Sequence, residues 1–196
     1  MRPIEAGELL DLAAYERVRK AYRRRIIELK KPRRIAIGDR LCFVFENRDT
    51  VLFQIQEMLR AERIVDAAAI QAEVDVYNEL IPGAHELSAT LLIEIPESKR
   101  IRSELDRLIG IDAHVALQIG ATRTPARFDP KQREADRISA VQYLRFPLGP
   151  EGARRFRDRS QPAALHVTHP RYRARAPIEG ASRESLAHDL DPDDGG

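Results

Sequence analysis

Residues 34–64, RIAIGDRLCFVFENRDTVLFQIQEMLRAERI, decide the fold. Two short β-forming runs flank Gly38-Asp39, a pair suited to a tight turn between antiparallel strands. The second run, Leu41 to Phe45, is apolar at every position, as expected of a strand covered on both faces. Glu46-Asn47-Arg48-Asp49 then ends the run, and a helical spacing begins. Steps of about 100° per residue place Val51, Leu52, Ile55, Met58 and Leu59 on one face, which is expected to join the core. Asn47 or Asp49 is placed to cap the free N–H groups of the first turn, and Asp49 also lies near the positive end of the helix dipole.

Upstream, Leu12, Tyr15, Val18, Tyr22, Ile26 and Leu29 recur at spacings of three and four. They predict a long amphipathic helix over roughly 7–30, ending before Pro32, with Arg17, Lys20, Arg23, Arg24 and Lys31 on the far side. Downstream, Asp66 is expected to cap a helix that turns Ile70, Val74, Tyr77 and Ile81 inward, with Val65 stapled onto Ile70. Ile-Pro-Gly-Ala at 81–84 reads as a type II turn, which requires a positive φ at Gly83. Strands are expected over 86–95, 113–119, 137–148 and 163–169, the last being the final strand. Ser98 should cap a helix to Leu108 with Ile101, Leu105 and Leu108 inward. Residues 149–159 read as a short helix or turn, and 120–136, polar and proline-bearing, as an exposed loop.

The sum is an α+β fold, with a mostly antiparallel sheet of about five or six strands and helices packed on one face. The strand–helix–strand unit at 86–119 also allows a parallel crossover. Residues 1–178 read as a single domain and 179–196 as a loosely held, disordered acidic tail.

The chain has 196 residues and is 43% hydrophobic, enough to bury a substantial core. No run of about 18 apolar residues is present, so no membrane span is expected. The first residues lack the basic-then-apolar pattern of a secretory signal, and a cytoplasmic location is the simplest reading. One cysteine, Cys42, excludes an internal disulfide framework and an all-cysteine metal site within one chain. The formal net charge is only +2, yet residues 46–114 sum to −7 and 115–180 to +7. Opposite blocks point to pairing within the fold or between subunits, as in a homo-oligomer.

The candidate sites follow from what the core leaves unexplained. Phe53, Gln56 and Arg60 lie on or beside the face of the 51–62 helix that the core does not claim, and they read as a second packing or interaction surface. A rival reading is a small enzyme or ligand binder. Its polar pocket at 46–49 would be built from Glu46, Arg48 and Asp49, with Gln56 or Arg60 and His85 nearby, and would hold an anion or a metal ion. No catalytic residue is assigned, because Cys42 sits mid-strand among apolar neighbours and no nucleophile elbow or phosphate-binding loop occurs. His85, His166 and His169 are weak metal candidates. His166 and His169 are three apart on a strand and point to opposite faces, so no metal site is assigned and no cofactor is expected. Arginine outnumbers lysine 28 to 5, and ARRFRDR and HPRYRARAP mix arginine with aromatics. RNA or DNA binding through these segments ranks below a protein-interaction role, since the net charge is small.

Three stretches, FENRDTVLFQIQEMLRAERI, YNELIPGAHELSATLLIEIP and RISAVQYLRFPL, resemble an uncharacterised bacterial family defined by a domain of unknown function. The resemblance covers about residues 3–180. It implies an accessory protein working with a peroxide or redox system, because genes of that family often neighbour those of rubrerythrin-like proteins and cysteine-rich iron–sulfur proteins of the heterodisulfide-reductase type. An iron–sulfur or rubrerythrin-like protein is therefore the expected partner. No catalytic residues carry over.

Overall fold

The computed structural model describes residues 1–132 and 137–190. Its strands are β1 (Arg34–Ile37), β2 (Leu41–Glu46), β3 (Glu86–Ile93), β4 (Val115–Ile119), β5 (Thr122–Pro125), β6 (Arg127–Phe128), β7 (Val141–Pro147), β8 (Ala163–His169) and β9 (Tyr172–Pro177). Its helices are α1 (Leu12–Lys30), α2 (Arg48–Glu62), α3 (Ala67–Asn78), α4 (Ile101–Asp106), α5 (Gly149–Arg157) and α6 (Gly180–His188). The fold is α+β.

The Gly38-Asp39 hairpin forms as its sequence predicts, with Ile37 opposite Leu41. Gly38 takes φ +69°, and a Cβ there would collide with the Tyr172 hydroxyl, so the turn requires glycine on two counts. Tyr172 Oη donates to the Ile37 carbonyl at 2.8 Å and accepts from the Arg40 amide at 3.2 Å, tying β9 to the hairpin.

The strands divide into two antiparallel sheets, ordered β1-β2-β3-β7-β6 and β5-β4-β8-β9, where one sheet of five or six strands is expected from sequence. The 86–119 unit therefore passes from one sheet to the other and is not a parallel crossover. Between the sheets lies a shared core in which Phe43, Phe45 and Leu91 meet Leu117, Leu165 and Val167. Each such side chain contributes roughly 1.5–3 kcal/mol on burial. Phe156 of α5 and Leu186 of α6 join the same core.

β2 is buried at all six positions because its second face is also covered. Val51, Ile55 and Leu59 of α2 form a second cluster with Ile4, Val74, Leu80 and Ile81, and Tyr143 of β7 packs against it. α1 and α3 pack against α2. Asn47 is the cap: Thr50 N donates to its Oδ1 at 3.0 Å, and Asn47 N donates to Thr50 Oγ1 at 2.9 Å.

Several local expectations are corrected. α1 begins at Leu12, capped by Asp11 after a 3₁₀ turn at Ala6–Glu8, and Val18 is exposed. Asp66 caps α3, but Val65 projects into solvent and makes no staple. Gly83 does not take a positive φ; His85 does, at +57°, where its carbonyl accepts from the amides of Leu148 and Gly149, both at 3.1 Å. Those two bonds fix the connection and outweigh the usual cost of a left-handed non-glycine residue. Ser98 caps nothing and opens a 3₁₀ turn, leaving Ile101 exposed. The stretch read as a loop carries β5 and β6, its residues 133–136 lying outside the described ones. β9 follows the strand expected to be last.

The stretch 179–190, expected to be loosely held, is folded. α6 buries Leu186, and Leu190 beyond it is buried too. Arg33, only 1% exposed, donates to the carbonyls of Phe45 (2.9 Å) and Glu46 (3.0 Å), and pairs with Asp189. Residues 191–196 lie outside the described residues.

Candidate functional site

The residues singled out at the strand–helix junction do not converge on a pocket. Glu46 is buried, accepting from Thr50 Oγ1 at 2.5 Å and Thr90 Oγ1 at 2.8 Å, with Lys30 Nζ at 3.8 Å. Arg48 reaches the other way, to Glu8. Asp49 pairs with Arg25 at 3.2 Å on the surface. The trio on the far face of α2 is claimed by α1 and the segment before it. Phe53 meets Tyr22 edge-on at 5.5 Å, Arg60 pairs with Glu16 at 2.6 Å, and Gln56 bonds the backbone of Leu10. Between them, Glu57 accepts from Tyr15 Oη at 2.6 Å and Arg19 Nε at 2.7 Å, and these bonds hold its carboxyl below the usual range. α2 thus has two packing faces, one for the sheet and one for α1.

The histidines are apart as well. His85 sits in the turn before β3, His166 on the outer face of β8, and His169 Nε2 donates to Ile109 O (3.1 Å) beside the edge-on ring of His114. Among the described residues no three His, Cys, Asp or Glu side chains come together as a metal site would need. Cys42 is buried, and burial pushes its thiol upward, away from the reactive thiolate.

A concavity of about 620 Å³ lies elsewhere, between α3 and the β6–β7 edge of the first sheet. α3 supplies Val76 and Tyr77, its C-terminal turn Leu80, β6 Phe128, and β7 Tyr143. The period-two pleat of β7 explains the last placement, since Leu144 and Phe146 turn to the inter-sheet core and Tyr143 and Arg145 turn outward. β6 pairs with β7 only at Arg127 and Phe128; Asp129 N and Gln132 Oε1 then occupy the Tyr143 backbone at 2.9 and 2.7 Å.

Charges of both signs rim this apolar floor. Lys131 pairs with Glu79 at 2.7 Å, Arg145 bonds Glu86 and the Glu79 carbonyl, and Glu73, Asp129 and Arg127 complete the border. Burial raises both tyrosine hydroxyls above their ordinary range, so they stay protonated at neutral pH and serve as donors. Among the described residues no histidine or cysteine lines the groove. Its chemistry is that of a binding surface with an apolar floor and polar edges. Helical spacing places Tyr77 in a buried stripe; its half-exposure, shared with Tyr143, comes from the groove.

A family model described as "Protein of unknown function (DUF3501)" matches residues 3–190. The chain belongs to the DUF3501 family. The match includes the folded segment 179–190 as well as the two sheets. A crystal structure of a novel protein of unknown function from Burkholderia pseudomallei K96243 is similar to this DUF3501 chain, with a TM-score of 0.90 and 36% identity. The similarity covers 97% of this chain and 100% of that one. Among curated proteins none matches. No helix among the described residues is long and apolar enough to cross a membrane.

Proposed function

We propose that the protein is an accessory protein that works by docking a segment of a protein partner in the groove between α3 and β6–β7. The lining carries this reading. A polyanion would call for a uniformly positive rim, whereas here Glu73, Glu79 and Asp129 alternate with Arg127, Lys131 and Arg145 around an apolar floor. A protein segment with apolar side chains flanked by charges of both signs complements such a rim. Val76, 63% exposed at the lip, is an apolar side chain left for a partner to cover. The setting we propose is cytoplasmic, and the partner is an iron–sulfur or rubrerythrin-like protein, as the family resemblance implies.

Photocrosslinking in the native host tests this. A photoreactive residue at position 76 should capture such a protein, identified by mass spectrometry, while the same group at Glu28 on α1 should not. Equal capture from both positions, or capture of neither protein class at position 76, would remove the proposal.

A further inference from the structure

The second sheet carries a feature that docking in the groove does not use. Its inner face is apolar, with Val115, Leu117, Leu165, Val167 and Ala176 in the core. Its outer face follows by the two-residue pleat and presents Gln118 on β4, Arg123 on β5, His166 and Thr168 on β8, and Arg173 and Arg175 on β9. None of the four strands contains an aspartate or a glutamate. Thr168, Arg123, Arg173 and Arg175 are exposed.

The register sets His166 at the centre. It stands opposite Arg175 across the β8–β9 pair and opposite Ala116 across the β4–β8 pair. Arg123 lies one strand further on, on β5, its Nε donating to Gln118 Oε1 at 3.2 Å. Among the described residues Arg173 and Arg175 meet no carboxylate. His166 Nε2 is shielded from solvent and has no hydrogen-bond partner, although buried polar atoms are nearly always paired. Burial, then the positive charges of Arg123 and Arg175, hold this imidazole below the ordinary histidine range. Like charges gathered around an unsatisfied nitrogen are a costly arrangement, and an anion among them relieves it.

We propose that the outer face of the second sheet is an oxyanion site, taking a phosphate-type ligand between Arg123 and Arg175 over the His166 imidazole. Guanidinium groups bind phosphate oxygens through paired N–H donors, and Arg173 extends the positive row toward a second phosphoryl group. A small phosphate ligand suits the face better than a nucleic acid. Tyr172, the one Phe, Tyr or Trp of these strands, points inward to Ile37, so no such ring is presented for base stacking.

The test is a titration of the full chain with inorganic phosphate and with inorganic diphosphate at low ionic strength, followed by the His166 ring resonances and by calorimetry. A saturable shift at His166 is expected, tighter for diphosphate. Arg123→Gln and Arg175→Gln should each weaken binding by about tenfold, while Arg17→Gln on the exposed face of α1 should leave it unchanged. The wild-type His166 shift needs no variant, so a misfolded variant cannot obscure the outcome. Absence of a saturable shift, or equal weakening by Arg17→Gln, would overturn the site. A single-stranded oligonucleotide that outcompetes diphosphate at His166 would overturn it in favour of a nucleic-acid surface.

Discussion

The side-chain amide of Gln56 pairs with both backbone groups of Leu10: Nε2 donates to the Leu10 carbonyl at 2.8 Å, and Oε1 accepts the Leu10 amide at 3.0 Å. Asn78 does the same for Ile4, at 2.9 and 2.8 Å. Two helix-borne amides thus strap the first residues across α2 and α3, and Ile4 is buried as a result. That strap and α1 occupy the surface which a helical wheel of α2 leaves open.

Gln56→Leu keeps the volume of the side chain and removes both bonds. It leaves a part-buried N–H and C=O of Leu10 unpaired, at a cost of about 1–3 kcal/mol. Urea denaturation should show the loss, and hydrogen exchange should show faster exchange at the Leu10 amide.

Arg33→Met should be among the most destabilising single changes, by about 3–5 kcal/mol, because it strands the buried Asp189 carboxylate. The double variant Arg33→Met/Asp189→Leu, which removes both charges, should recover part of that loss in the same urea assay.

Acid sensitivity should localise in part to Glu8. Its pKa is lowered to about 2 by the Glu5 amide and by Arg48 and Arg2, against an ordinary value of 4.5. The folded value is the lower one, so the unfolded chain binds the proton first and the folded state loses stability as pH falls from 4.5 toward 2. Glu8→Gln should be less stable than wild type at pH 6, and the gap between their denaturation midpoints should narrow toward pH 2.

Arg63 closes α2 in the left-handed conformation, at φ 53°. Glycine is the residue that this position favours, so Arg63→Gly should raise stability by about 0.5–1 kcal/mol, read as a higher thermal midpoint. An unchanged or lowered midpoint would mean that the Arg63 side chain contributes more than the backbone conformation costs.

Much of the fold is legible in residues 34–64, and the rest is hidden for identifiable reasons. The hairpin glycine, the Asn47 cap and the Val51-Ile55-Leu59 stripe are local signals with local causes. Phe53, Gln56 and Arg60 read from sequence as a second packing surface, but a wheel of one helix cannot name what covers it, and α1 and the strap do so. β9, YRARAP, shows alternation of arginine with Tyr172, Ala174 and Ala176, but alanines make a weak apolar signal beside two arginines. α6 is fastened by Arg33, about 150 residues earlier, a pairing that no local pattern announces. The groove is hidden for the same reason, since Val76, Phe128 and Tyr143 come from three distant segments.

Docking in the groove is tested most directly by isothermal titration calorimetry. The purified chain is titrated with a purified rubrerythrin-like or cysteine-rich iron–sulfur protein from the same genome, for wild type and for Val76→Asp. Val76 lies on the solvent side of α3, so the variant should keep the wild-type thermal midpoint. Saturable binding by wild type, weakened at least about tenfold by the buried charge, is the predicted result. No binding of either protein class, or equal affinity of the two forms, would contradict a docking role for this groove.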